Sequence, residues 1–254
     1  MKVISKKDNG EIYAIKQSRT IYVIMLIFLL VIGIFSSVGL IHNLNNKQID
    51  STYISEVNQK SVVMISAEVE TIFGSGKATG SGVMINDKQV VTNHHVVAGV
   101  TGKTVDVVFP FDKDTEIEGR IVCSDEDLDL AIIELDEVPR EAKSVQLSAK
   151  LPSIGADVFA IGYPMGIGYS FTKGVVSSPE VESKYSSFNF IQFDAAVSPG
   201  NSGGGLFNDK NQLIGIVSQK IVAQGAENIG MAIPTSVLLD YFETEDIEPA
   251  SVAK

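Results

Sequence analysis

Ser202 stands in the run Asp194-Ala-Ala-Val-Ser-Pro-Gly-Asn-Ser-Gly-Gly-Gly. A serine between glycines has a mechanical rationale as a nucleophile. Glycine lets the backbone turn sharply and present Oγ, and it leaves N–H groups free to face a developing oxyanion. A plain Gly-Ser turn is the alternative for this segment alone. Gly200-Asn201-Ser202-Gly203-Gly204 also satisfies the G-x-S-x-G elbow of α/β-hydrolases. Those enzymes carry their histidine downstream of the serine. The three histidines here, His42, His94 and His95, all lie upstream, so that arrangement has no base and fails. Two chain orders stay open for a serine nucleophile, His…Asp…Ser and Asp…His…Ser.

His42 borders a long apolar run and reads as an interfacial residue. His94 and His95 sit in Val90-Val-Thr-Asn-His-His-Val-Val-Ala, directly after a strand pattern. A histidine pair is more often structural, but the chain offers no other base for Ser202. A carboxylate must then orient the imidazole and stabilise its charged form. The candidates cluster in Asp125-Glu-Asp-Leu-Asp-Leu-Ala-Ile-Ile-Glu-Leu. Asp129 alone enters the apolar run Leu130–Ile133, whereas Asp125, Glu126 and Asp127 read as a solvated turn. The D-x-D-x-D spacing does not make a calcium loop, because Leu130 stands where Gly is needed and Asp136 where Glu is needed. Gly76-Lys77 is a failed P-loop, with Ala78 in place of Ser/Thr and Thr71 in place of the first Gly. There is no His-Glu-x-x-His and no Cys/His cluster, so a metal site is unsupported.

The elements that must position these groups read as short β-rich runs from Ser61 onward. Expected strands are Val62–Val69, Gly82–Ile85, Val90–Thr92, Val105–Phe109, Leu130–Leu135, Val158–Ile161, Phe188–Phe193, Leu213–Val217 and Met231–Ile233. Gly74, Gly76, Gly80, Pro110, Gly155, Gly162, Pro164, Gly166, Gly168 and Gly174 punctuate them. Many short strands at this spacing argue an all-β sandwich or barrel rather than βαβ units. A helix is expected at Thr235–Phe242, and a short turn after Thr92. Cys123 is the single cysteine, so no intramolecular disulfide exists, and its apolar neighbours make it a small core residue.

The chain has 254 residues, 44% of them apolar, enough for a sizeable core. Residues 1–20 carry five basic against two acidic side chains, while the whole chain carries -11, so the remainder stands at -14. Such a surface is a poor nucleic-acid partner, since phosphate binding needs basic charge. Residues 21–41, IYVIMLIFLLVIGIFSSVGLI, hold no charge. As a helix they would span roughly 30 Å, the hydrocarbon thickness of a bilayer. The basic leader puts residues 1–20 on the cytoplasmic side and everything after His42 outside. A cleaved signal peptide with Ser37-Val38-Gly39 as its site is the rival; the long leader and long apolar run favour an uncleaved anchor. The expected organisation is a cytoplasmic leader at 1–20, a transmembrane helix at 21–41, a polar linker at 42–60, a catalytic domain at 61–243 and a frayed tail at 244–254.

Three segments, in order, resemble the HtrA/DegP branch of trypsin-like serine proteases. They are Gly80-Ser-Gly-Val-Met-Ile with Val91-Thr-Asn-His-His-Val-Val, then Asp129-Leu-Ala-Ile-Ile, then Asp194-Ala-Ala-Val with Gly200-Asn-Ser-Gly-Gly. Ile161-Gly-Tyr-Pro-Met-Gly, Gly174-Val-Val-Ser, Leu213-Ile-Gly-Ile and Met231-Ala-Ile-Pro add to the likeness, which covers roughly residues 55–240. The resemblance implies two six-stranded antiparallel β-barrels with the active site in the cleft between them. It assigns the base to His95, because the family pattern is Thr-Asn-x-His-Val, the orienting acid to Asp129 and the nucleophile to Ser202. It assigns the oxyanion hole to the N–H groups of Gly200 and Ser202. The floor of the specificity pocket falls on Ala196, followed by Val197, which implies cleavage after small aliphatic residues.

The implied protein is a membrane-anchored bacterial endopeptidase acting on unfolded or damaged extracytoplasmic proteins. No cofactor is implied. Relatives are often trimers, which suggests a homotrimer. His94 and Gly205 depart from the usual pattern, and no PDZ-like region is expected, since the chain stops about a dozen residues after the barrel should end. In digestive relatives an Asp directly before the nucleophile pairs with a newly cut N-terminus. Here that residue is Asn201, so no such zymogen cleavage is expected. The alternative function is a protease-fold binding or scaffold protein with little turnover.

Overall fold

The computed structural model describes residues 5–8, 11–14, 23–34, 36, 50–71, 74–184, 186–218 and 228–253. Two units separate, Met1–Gln48 and Ile49–Lys254. In the first, β1 (Ser5–Asp8) and β2 (Glu11–Ala14) form an antiparallel pair, and residues 23–34 form helix α1. Only part of the expected 21–41 span falls within the described residues. Among the described residues, no helix is long and apolar enough to cross a membrane.

The second unit opens with α2 (Ser51–Asn58), capped by Asp50, whose side chain accepts from Thr52 N–H at 3.1 Å. This stretch was expected to be linker. Its polar composition hides one fully buried apolar residue, Ile54, which is enough to dock a short helix.

Six strands then close a barrel in the order β3-β4-β5-β8-β7-β6. They are β3 (Val62–Thr71), β4 (Gly74–Met84), β5 (Gln89–Thr92), β6 (Thr104–Phe109), β7 (Asp112–Asp125) and β8 (Leu130–Leu135). The short helix α3 (His94–Val97) follows β5. A second barrel runs β13-β10-β11-β12-β15-β14 and is closed by pairing of β13 with β14. Its strands are β10 (Asp157–Gly162), β11 (Ser170–Val181), β12 (Phe190–Phe193), β13 (Gly205–Asn208), β14 (Gln212–Val217) and β15 (Gly230–Pro234). Helix α4 (Thr235–Thr244) follows. Two short strands extend the sheet, β9 (Gln146–Ser148) parallel to β14 and β16 (Ser251–Ala253) parallel to β9. Within the expected frayed tail at 244–254, Ser251–Ala253 are thus ordered as a strand.

The pleat sorts apolar side chains into three cores. Val63, Ile65, Val90, Val107, Ala131 and Ile133 fill the first barrel. Val158, Ala160, Val176, Ile191, Phe193 and Val217 fill the second. Residues of the opposite parity, Val62, Val83, Val91, Leu130 and Ile132 from one barrel and Phe159, Ile161, Phe207 and Ile216 from the other, meet in a shared seam with α2 and α4. This explains why Leu130–Ile133 reads as an unbroken apolar run: both faces of β8 are buried.

Candidate active site

β5 ends at Thr92, and α3 starts two residues later, so His95 leaves the rim of the first barrel toward the second. Asn93 donates from Nδ2 to the Asp129 carbonyl at 2.9 Å, tying the start of α3 to the segment that precedes β8. Asp125 shapes that segment as a turn, with its carboxylate accepting from Leu128 N–H at 2.9 Å. Asp129 itself has φ +55, a left-handed conformation that costs a non-glycine residue and persists only where its surroundings impose it.

The Asp129 carboxylate collects four contacts. His95 Nδ1 lies 2.9 Å from both oxygens, His95 N–H donates to Oδ1 at 3.1 Å, and Ser218 Oγ donates to Oδ2 at 2.9 Å. Burial works to raise its pKa, but the hydrogen bonds and charge offered by His95, with Ser218, outweigh it and hold the carboxyl below its ordinary value of 3.8. An ionised carboxylate can only accept, so Nδ1 carries the ring proton and Nε2 is the nitrogen left for proton transfer. The His95 side chain is 32% exposed and that of Asp129 8%, so the pair is closed on the acid side and open on the base side.

Ser202 is buried in a tight loop between β12 and β13. Asn201 N–H donates to Ser198 O at 3.0 Å, Gly204 N–H to Asn201 O at 2.9 Å and Gly203 N–H to Val217 O at 2.9 Å. Gly203 has φ +84, and a Cβ there would stand 2.0 Å from Ser81 O and 2.3 Å from Thr92 Oγ1. The loop therefore presses directly on the two first-barrel strands that lead to His95. Ser81 N–H donates to Ser202 O at 2.8 Å, and Thr92 Oγ1 donates to Ser81 O at 2.7 Å. Met165 N–H donates to Pro199 O at 2.6 Å. The Pro199–Gly200 peptide is planar and trans, so this bond turns Gly200 N–H the opposite way.

His95 and Asp129 are thus in direct contact, and Ser202 sits on a loop stapled to their barrel. Ala196 and Val197 lie between β12 and that loop. The Ala196 carbonyl accepts from Thr172 Oγ1 at 2.8 Å, Ala196 is exposed, and Val197 packs partly against the second barrel's core. Ser218 and Ser81 were not singled out in the sequence. Each is a polar residue at or inside an apolar strand pattern and almost fully buried, a mismatch that marks a side chain with a fixed partner.

A double barrel with a histidine–carboxylate pair on one barrel and a glycine-flanked serine on a loop bonded to that barrel is the layout of a chymotrypsin-like hydrolase. The trypsin-like peptidase domain model matches residues 80–216, more than half of the chain, and the chain belongs to that family. It is 36% identical over 168 residues to a probable periplasmic serine endoprotease, DegP-like, of Hahella chejuensis, covering 65% of this chain and 34% of that protein. It is 31% identical over 221 residues to the serine protease Do-like HtrA of Lactococcus lactis subsp. lactis, covering 75% and 53% respectively. A solved HtrA-type protease with a decapeptide superposes with a TM-score of 0.68 at 25% identity, covering 77% of this chain and 66% of that one. The chain thus spans about a third to a half of the length of these curated relatives.

Proposed function

We propose that this protein is a membrane-anchored serine endopeptidase that cleaves extracytoplasmic proteins through Ser202, His95 and Asp129. The observation that carries the reading is the His95–Asp129 contact, made through both carboxylate oxygens and backed by Ser218 from the other barrel. Ser202 Oγ bonds to the substrate carbonyl carbon while its proton passes to His95 Nε2. The carbonyl oxygen becomes an oxyanion, which the N–H groups of Gly200 and Ser202 receive. As the C–N bond breaks, His95 returns the proton to the leaving amine. Water then attacks the acyl-enzyme by the same proton route and releases the carboxylate product. Asp129 stays ionised and stabilises the imidazolium throughout.

Residues 21–41 act as the anchor in the cytoplasmic membrane of a bacterium, with the N-terminus inside. The large apolar side chains between 23 and 34 are 42–66% exposed, a surface that water does not tolerate on an isolated helix. Ala196 and Val197 near the nucleophile favour small aliphatic residues before the scissile bond. The substrates are unfolded or damaged proteins, and the assembly is a homotrimer. Asn201, neutral before the nucleophile, makes activation by a newly cut N-terminus unnecessary.

A fluorophosphonate probe on the detergent-extracted full chain tests the reading. Wild type should label and Ser202→Ala should not, and Val/Ala peptides should be cut in preference to Arg/Lys peptides. A wild type that never labels would favour a protease-fold binding protein.

A further inference from the structure

Ser81 lies in β4 of the first barrel and has no exposed surface. Its Oγ is the meeting point of two peptide groups of the second barrel. It accepts from Tyr163 N–H at 2.8 Å and donates to Gly200 C=O at 2.7 Å. Its backbone is engaged as well, N–H to Ser202 O and carbonyl to Thr92 Oγ1. One residue therefore grips the nucleophile loop at two points, the Tyr163 turn and the strand leading to His95.

Gly200 is where orientation matters. Its φ is +98, and a Cβ there would stand 2.4 Å from Tyr163 O, so only glycine fits. Glycine supplies no conformational preference of its own, so the direction of its N–H must be set from outside. Two hydrogen bonds pin the residue, one on each flanking peptide: the first sets the direction of Gly200 N–H and the second fixes the peptide that leads on to Ser202. Met165 N–H holds the Pro199 carbonyl, and Ser81 Oγ holds the Gly200 carbonyl. The first comes from a surface turn in which Met165 has φ +57 and is 66% exposed. The second is shielded from water. The Gly200 carbonyl shares its peptide plane with Asn201 N–H, so losing this partner would free the Gly200–Asn201 peptide to rotate and loosen the link between Gly200 and Ser202.

We propose that Ser81 is a positioning residue for peptide-bond hydrolysis: its hydroxyl latches the Gly200–Asn201 peptide, which joins the two oxyanion donors, and thereby keeps the Gly200 and Ser202 N–H groups in register with each other. The inference rests on the Ser202–His95–Asp129 reading above. It requires the hydroxyl to act on the transition state rather than on substrate binding. Removing one oxyanion donor from a serine hydrolase lowers kcat by about 100–1000-fold, and mis-aiming one should cost about 10–100-fold.

Ser81→Ala is compared with wild type for kcat, KM, the pH profile of kcat/KM, and inhibition by a peptide aldehyde, whose adduct carries the oxyanion. Expected is a kcat lowered about 10–100-fold and aldehyde affinity lowered in step. KM should stay within about threefold, and the pH profile should be unmoved because His95 and Asp129 are untouched. A kcat within about threefold of wild type overturns the proposal, as does a loss carried by KM or by a shifted pH profile. Should Ser81→Ala fail to fold, Ser81→Cys fills the site with a group that is a weaker donor and a weaker acceptor, and the same criteria decide. Ser202→Ala runs in parallel. If it still turns over peptide, the triad reading falls; if it is inactive while Ser81→Ala matches wild type, only the latch falls.

Discussion

Asp129 is the residue on which most of the site's electrostatics converge. It is nearly closed off from water, it sits in a left-handed conformation, and it accepts from His95 and Ser218. Asp129→Asn keeps the shape but offers an amide where Nδ1–H needs an acceptor, favouring the wrong tautomer; kcat at neutral pH should fall about 10⁴-fold. The stability consequence has a definite sign. A carboxyl whose folded pKa is held below its ordinary 3.8 stabilises the fold fully above that value, and the contribution is lost as pH falls through the folded pKa. The gap in urea-unfolding free energy between wild type and Asp129→Asn should therefore narrow as pH falls below about 4. A gap that stays unchanged from about pH 5 down to about pH 2 would contradict this account. Ser202 and Asp129 were marked by residue type and apolar context, and His95 was chosen over His94 by the family pattern; the structure puts His95 and Asp129 in contact. Ser218 and Ser81 were not legible, because their roles exist only in contacts with partners 89 and 119 residues away in the chain.

Strands marked by longer apolar runs were legible, and β7, β9, β11, β13 and β16 were not, although β13 is buried along most of its length. β7 escaped because charged and polar residues dominate Asp112–Asp125; its inward positions are Ile117, Gly119, Ile121 and Cys123, whose larger side chains are only partly buried against the core. β4 was read as starting at Gly82, since Gly74, Gly76 and Gly80 look like punctuation. They lie within a ladder that pairs β3 and β4 residue by residue from Val62↔Val83 to Thr71↔Gly74. Gly80 is there for packing, as a Cβ would stand 2.5 Å from the Val96 side chain of α3. Helix α2 was missed for a related reason: its one buried apolar residue is Ile54, and its other buried residue, Asn58, is polar and donates to Asn211 Oδ1 at 2.6 Å. Ile54→Ala should cost about 2–5 kcal/mol in urea unfolding, as for other fully buried aliphatic side chains. A cost under about 0.5 kcal/mol, the level of a surface substitution, would show that α2 is not part of the cooperative unit.

The two barrels share more than a cleft. Each has its own interior, but Val91, Leu130 and Ile132 of one and Phe159, Phe207 and Ile216 of the other belong to one continuous core with Leu238 and Phe242 of α4. The barrel count came from family resemblance. The seam could not be read from one segment at a time, because its members come from both halves of the chain. The acid–base pair depends on this seam directly, since Ser218 reaches Asp129 across it.

Tyr53 and Val57 of α2 line the same cavity, about 280 Å³, as Ser251 of β16. The first and last elements of the larger unit are therefore neighbours on one flank, beside β9 and the turn at Lys210 and Asn211. The order in which the chain threads this unit is thus a convention of its gene and not a requirement of its architecture. A circular permutant that joins residue 253 to residue 50 by a short Gly/Ser linker and opens the chain in an exposed bend such as Asp136–Glu137 should fold and retain Ser202 reactivity toward the fluorophosphonate probe. An insoluble or unreactive permutant, with a second opening site giving the same result, would mean that the original ends carry a role of their own.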